Sequence, residues 1–315
     1  MNSNEWLAKI EEHVTPLHED DTMSVAAHKV LVVEFTGLLA CEGGVASGKD
    51  PDAVHHMRVS CRRIRSAIRL LWDYYDQSQV VGIRDGIQRL GRELAPVRNL
   101  DVFMDVVDAF GSASPHATEL LGAISERVSK RRKLQQRLVR KHLKSKSYRK
   151  TLRRIHDYAI EPAMRKRKKK VRLLIMRHVL PIVIYQQLAM VKSYEGSIEE
   201  GDEQAFHRLR IEVKRLRYIL TQFSPVLGST AQRYISDLRM IQGSLGALND
   251  IEMARGLWKR KPLARILKGH DAKRDLLDYF RQQEQRARLE FSADWSRLNS
   301  RRGQRNLSDA LLVLR

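Results

Sequence analysis

The chain is 315 residues long and 43% hydrophobic, enough apolar material to build substantial cores without metal or disulfide staples. Only two cysteines occur, Cys41 and Cys61, with no CxxC pair and no Cys/His spacing of a zinc site, which excludes a disulfide framework and points to a reducing compartment. With 58 Lys and Arg against 37 Asp and Glu the formal net charge is +21, so polyanionic partners are expected.

Helical periodicity in leucine, alanine and basic residues runs nearly throughout and alternating strand patterns are absent, so the predicted fold class is all-α. Met1 to Asp20 is polar and acidic, with no basic-plus-apolar leader. The first predicted helix is Met23 to Cys41, followed by breaks at Gly43-Gly44 and Gly48. No run is expected to span a bilayer, Val179 to Val191 being the most apolar and too short, and the protein is expected to be soluble and cytoplasmic.

The second predicted helix, Pro51 to Tyr75, carries His55, Arg58, Arg62, Arg63 and Arg65. The same motif, His-x-x-Arg-x-x-x-(Arg/Lys)-Arg-x-Arg, returns in the helix Asp202 to Phe223 as His207, Arg210, Lys214, Arg215 and Arg217. Apolar positions repeat in frame, with Met57, Val59, Ile64 and Ile68 matched by Leu209, Ile211, Leu216 and Leu220. At about 100° per residue, offsets 0, 3, 7 and 10 fall within an arc of about 80°, so the His and three basic residues form one stripe. Arg69 extends the first stripe by a turn. Met57, Cys61, Ile64, Ile68 and Leu71 take a neighbouring arc, giving a core face beside a cationic ridge. A solvated face asks only for charge, whereas both copies keep the His and nearly the same Arg/Lys order, so the duplication points to an anion-binding surface. Asp50 before Pro51, and Asp202 before Glu203, read as N-caps. The positive helix N-terminus is expected to keep His55 and His207 largely neutral until an anion arrives.

Helices Val81 to Leu94 and Leu100 to Phe110 are predicted on either side of a break at Pro96. A second repeated element lies here: residues 95–101, with Asn99 and Asp101, match residues 246–252, with Asp250 and Glu252. The preferred reading makes Asn99 and Asp250 caps of the following helices. The alternatives make Asp101 and Glu252 partners that orient the motif arginines, or metal ligands, although no adjacent carboxylate or His completes a coordination set. After Pro115 come His116 to Lys144 and Tyr148 to Ile160. Residues 127–172 hold 21 Lys or Arg against Asp157 and Glu161, a local +19 that accounts for almost the whole excess. Lys130, Lys133, Arg137, Arg140 and Lys144 repeat the stripe spacing, as a solvated helix outside the core or as a basic wall continuing the motif surface. Arg165 to Arg172 reads as a contact arm or a solubilising run.

Pro162 to Tyr194 is predicted as a helix kinked or divided at Pro181. Beyond Gly201 and the second motif helix come Thr230 to Leu245, Ile251 to Lys259 and Asp271 to Phe291, separated by turn residues that include Pro225, Gly228, Pro262 and Gly269. Leu307, Leu311 and Leu314 suggest a short amphipathic helix in the tail, docked on the body or on another subunit. The chain divides into an extension (1–22), two repeats (23–160 and 161–294) and a tail (295–315).

The paired His/Arg helices and the two elements at Asn99/Asp101 and Asp250/Glu252 resemble the CHAD family, the conserved histidine α-helical domain, over about Met23 to Phe291. Arg98-Asn99-Leu100-Asp101 stands where the family more often has Arg-Asp-Leu-Asp, and the second element ends in Glu252. The resemblance implies two antiparallel four-helix bundles related by an internal pseudo-two-fold around a central basic groove or pore. It also implies non-catalytic binding of inorganic polyphosphate and association with polyphosphate granules. The residues implied are His55, Arg58, Arg62, Arg63 and Arg65 with His207, Arg210, Lys214, Arg215 and Arg217, needing no cofactor or metal, and the stripe adds Arg69 to the binding set. Lys130, Lys133, Arg137, Arg140 and Lys144 are additional candidate anion contacts. A general polyanion or nucleic-acid binder is the second reading, because a +21 chain binds DNA or RNA at low salt. Aromatics are only 6% and do not alternate with the basic stripe, and no RNP-type or zinc-finger signature occurs. A metal-dependent phosphohydrolase or phosphotransferase using the motif histidines is the third, lacking clustered carboxylates, a Walker pattern or an ExExK signature.

Overall fold

The computed structural model describes residues 3–114, 118–161, 174–259 and 272–314. Within them the chain is helical, with no strand beyond one isolated bridge between Thr22 and Ile175. The helices of the first half are α1 (Ser3–Glu11), α2 (Met23–Ala40), α3 (Glu42–Ser47), α4 (Pro51–Leu70), α5 (Gln77–Ala113), α6 (Thr118–Leu143) and α7 (Lys146–Ile160). Those of the second are α8 (Met176–Lys192), α9 (Glu195–Glu199), α10 (Glu203–Gln222), α11 (Ser224–Leu227), α12 (Thr230–Trp258), α13 (Ala272–Asn299) and α14 (Arg301–Leu312).

Side-chain caps set the starts of the functional helices. The Asp50 carboxylate accepts from the Asp52 N–H at 2.8 Å ahead of α4, and Asp202 accepts from the Gln204 N–H at 2.8 Å ahead of α10. Met57, Cys61, Ile64, Ile68 and Leu71 are all buried, as the apolar arc requires. Each large aliphatic so placed contributes about 1.5–3 kcal/mol, which fixes the rotation of α4 and turns its basic stripe the other way.

Pro96 does not break the chain. One helix, α5, runs from Gln77 through Pro96 to Ala113, and α12 likewise joins the two helices predicted between Thr230 and Lys259. Pro96 is exposed and costs one backbone bond, whereas Leu94, Val97, Leu100 and Phe103 on either side of it are buried and keep one helical face in register. Asn99 and Asp250 are therefore helix-interior residues, and their capping role is withdrawn. Pro181 lies inside α8 without dividing it. The run 165–172, the beginning of the predicted helix at Pro162, and Pro115, Pro262 and Gly269 fall outside the described residues. Met23–Ser47 is long and apolar enough to cross a membrane by length and composition, contrary to the expectation that no run is. Its helix α2 packs on α1, α4, α7 and α8, with Met23, Leu31, Phe35 and Leu38 fully buried in the core.

α4 packs on α5 as α10 packs on α12, and the two pairs meet through contacts of α4 with α10 and of α5 with α12. The main core draws on both halves of the chain, from Ile10 through Ile64, Leu90 and Leu216 to Leu314. A second core lies between the C-terminal portions of α5 and α12, α6 and α13, around Phe103, Phe110, Ile124, Trp258 and Phe280. The tail helix α14 packs on α12 and α13, burying Leu307 and Leu311, with Leu314 buried just beyond it.

Candidate functional site

The helices α4, α5, α10 and α12 enclose a cavity of about 1140 Å³. Its first wall, from α4 and α5, presents His55, Arg58, Arg62, Arg65 and Arg69 together with Arg84, Arg98 and Asn99, and no carboxylate. The second wall, from α10 and α12, presents His207, Arg210, Lys214 and Arg215 with Asn249, Asp250 and Glu252. The duplicated helices thus face one space, but unequally. All the carboxylates in the lining belong to the second wall.

Packing holds the cationic heads in place. Arg58 donates from Nη1 to the Gly91 carbonyl at 3.2 Å, across to α5, and Arg62 donates from Nε to the Arg58 carbonyl at 3.4 Å. Burial and the neighbouring Arg62, Arg98 and Arg210 push Arg58 down to about 10, so it is still charged at neutral pH. Lys214 is only 9% exposed and makes no hydrogen bond or ion pair among the described residues. Burial first, then Arg210 and Arg62, push its amine down to about 6, with Asp250 opposing. Arg210 is lowered by burial and by Arg62, again with Asp250 opposing. His55 is lowered chiefly by burial and then by Arg98, Arg62 and His56, against a small pull from Asp52. The direction expected for His55 therefore holds, with burial and then its arginine neighbours as the main causes.

Two of the motif arginines point elsewhere. Arg63 lies beside the buried carboxylate Glu34 of α2, and Arg217 donates from Nε to Gln242 Oε1 at 2.5 Å with its guanidinium 4.8 Å from the Tyr218 ring centroid. Neither lines the cavity, and nor do Lys130, Lys133, Arg137, Arg140 and Lys144 of α6. Asp101 binds Arg132 of α6, so it does not orient a motif arginine. Asp250 is the carboxylate that faces Arg210 and Lys214. Arg84, Gln88 and Arg98 are lining residues that the motif did not contain. They fall on one face of α5 only if the helix continues through Pro96, which the sequence read as a break.

Several buried polar atoms of the lining residues, drawn from both walls, have no partner: Arg58 Nε and Arg210 Nε, with His55 Nδ1 and Ser66 Oγ. Unpaired buried polar atoms are costly, and convergent cationic donors match a ligand that only accepts. Among the described residues, no three His, Cys, Asp or Glu side chains gather to hold a metal ion. Two smaller cavities adjoin the first. One, of about 630 Å³, shares His207, Arg210, Asn249 and Glu252 and holds the Arg255–Glu284–Arg288 ion cluster. The other, of about 500 Å³, shares Asn99 and Met253 and opens beside Arg131 and Gln135 of α6.

A family model described as the CHAD domain matches residues 34–259. No curated protein matches the chain. Among solved structures, the chain is similar to a crystal structure of the CHAD domain from the plant Ricinus communis, at 22% identity and a TM-score of 0.64, covering 96% of each chain. It is also similar to PptA from Streptomyces chartreusis, at 14% identity and a TM-score of 0.66, covering 88% of this chain and 99% of that one. At these identities the two likenesses bear on the fold alone.

Proposed function

This chain belongs to the CHAD domain family, a family associated with polyphosphate binding, and on that premise we propose that its central cavity binds inorganic polyphosphate without turning it over. The observation that carries this reading is the convergence on one cavity of eight arginines, one lysine and two histidines, with buried donors among them that lack partners. Polyphosphate offers closely spaced anionic oxygens and no bases. A dense array of guanidinium forks matches it, each charge-assisted bond contributing about 1.5–3 kcal/mol before desolvation and ordering costs. The histidines serve as additional donors to phosphate oxygens, and hydrolysis is not expected. Association with polyphosphate granules in the cytoplasm follows from the same affinity.

The test is a competition titration at about 0.15 M salt, where long-range surface electrostatics are screened, pitting polyphosphate against DNA and RNA of equal total charge. Strong preference for polyphosphate supports a dedicated site, and no preference favours a general polyanion binder. Replacing Arg58, Arg62, Arg210 and Lys214 by neutral residues should weaken polyphosphate binding at least about a hundredfold while helicity is retained. Neutralising Lys166, Lys168, Lys169 and Lys170 instead should have a small effect. Equal losses would mean that bulk charge suffices.

A further inference from the structure

We propose that the outer face of α6 is a second binding segment for the same polymer, engaged only by chains long enough to leave the central cavity. The inference rests on the polyphosphate reading of that cavity. Arg127, Arg131, Lys133, Arg137, Lys141 and Lys144 are all exposed and have no ion pair or hydrogen bond among the described residues. From Arg127 to Lys144 they extend over about 26 Å at 1.5 Å per residue. Lys130 and Arg140, on the same face, are partly occupied by Glu126 and the Ser47 carbonyl. A purely solvated helix would be expected to mix signs, since interspersed charges supply stabilising neighbour pairs and like charges at this spacing repel. Here Glu126 is the only acid from Arg127's own turn to the end of the helix, so the face is repulsive unless an anion covers it.

A cleft lined by Pro96, Leu100, Gly256 and Leu257 adjoins both the cavity and this face. The cleft of about 500 Å³ shares Asn99 and Met253 with the central cavity and is bordered on its far side by Arg131 and Gln135. A chain held by the motif arginines and leaving between α5 and α12 therefore meets Arg131 first and the rest of the stripe after it. No aromatic side chain lies on the exposed face of α6, so it offers charge without a stacking platform, which favours a baseless phosphate chain over single-stranded nucleic acid. Leu134 and Leu138, exposed in the same arc, are too few to make an interfacial membrane helix.

Direct titration of the full chain with tripolyphosphate and with long-chain polyphosphate, each at about 0.15 M salt, tests the proposal. A variant with Arg127, Lys133, Arg137 and Lys141 changed to Gln should lose on the order of tenfold or more in affinity for the long chain and almost none for tripolyphosphate. A control removing the same charge from exposed positions that line none of the three cavities, Arg233, Arg239, Arg301 and Arg305 to Gln, should bind both ligands nearly as the wild type does. Equal loss for both ligands, or equal loss in the control, would overturn the segment in favour of bulk charge. Unchanged long-chain affinity with lost duplex DNA binding would overturn it in favour of a nucleic-acid surface. Should the fourfold variant lose helicity by circular dichroism, Lys133→Gln with Arg137→Gln alone must reproduce a smaller loss confined to the long chain. Failure of the wild type to bind either ligand would instead overturn the function proposed for the cavity.

Discussion

Lys214 stands in the second motif copy where the first has Arg62, and it is the one lysine among the described residues that line the cavity. Held down to about 6 by burial and arginine neighbours, its amine is largely neutral at pH 7.5. Arg62, Arg210 and Arg217 repel its charged form and Asp250 favours it, with Arg58, Arg98 and His55 also on the cavity. A bound phosphate chain adds negative charge and raises that pKa, so binding takes up a proton. Affinity is then full below about pH 6 and is lost as pH rises through the bound-state pKa, by up to about tenfold per pH unit within that window. His55, also lowered in the free chain, acts in the same direction. Lys214→Arg should flatten the dependence, read by titration at pH 6, 7 and 8 in buffers of differing ionisation enthalpy. A flat wild-type profile with no proton uptake would show that the amine is already charged. In the ligand-free chain the folded pKa lies below the ordinary lysine value of 10.5, so stability falls as pH is lowered from there toward about 6.

The elements that build the cavity were only half legible in the sequence. The motif helices α4 and α10 were, because their caps at Asp50 and Asp202, their apolar arcs and their basic stripes are all local signals. The partner wall was not. Arg84, Gln88 and Arg98 join the site because α5 is continuous, and that continuity comes from the burial of Leu94, Val97 and Leu100 against other helices, which outweighs the local signal of Pro96. The orientation of Arg63 toward Glu34 and of Arg217 toward Gln242 was hidden for the same reason: a repeat shows which residues recur, and packing decides which of them face the ligand. Close helix approach also depends on such non-local fit. A Cβ added to Gly86 of α5 would clash with the buried Thr151 side chain of α7. Gly86→Ala is therefore expected to destabilise by about 2 kcal/mol, overpacking outweighing the gain in helix propensity of about 1 kcal/mol. Denaturant midpoints should recover most of that loss when Thr151→Ala is added, whereas a neutral or stabilising single change would show that the two helices separate freely.

Across the whole molecule, charge and apolar packing are distributed differently. Residues 127–172 carry +19 of the +21, yet the cavity lining lies outside that segment, so net charge by itself does not locate the site. The apolar interior, by contrast, ignores the boundary between repeats, the main core taking Leu31 and Ile64 from one half and Leu216 and Leu238 from the other. Thermal unfolding is accordingly expected to be a single transition, and polyphosphate at about a hundred times its Kd should stabilise the fold by about 2.7 kcal/mol, read as an upward shift of that transition. Two separated transitions, only one of them moved by ligand, would contradict the shared core. α5 and α12 each line the cavity in mid-course and then run on into the second core, where Phe103 and Phe110 meet Trp258, Phe280 and their neighbours. They act as through-going beams, so a chain of phosphates bound at their middle, as proposed, would brace a distant hydrophobic cluster it never touches. Amide hydrogens around Phe110 and Trp258 should then exchange more slowly with solvent when the cavity is filled.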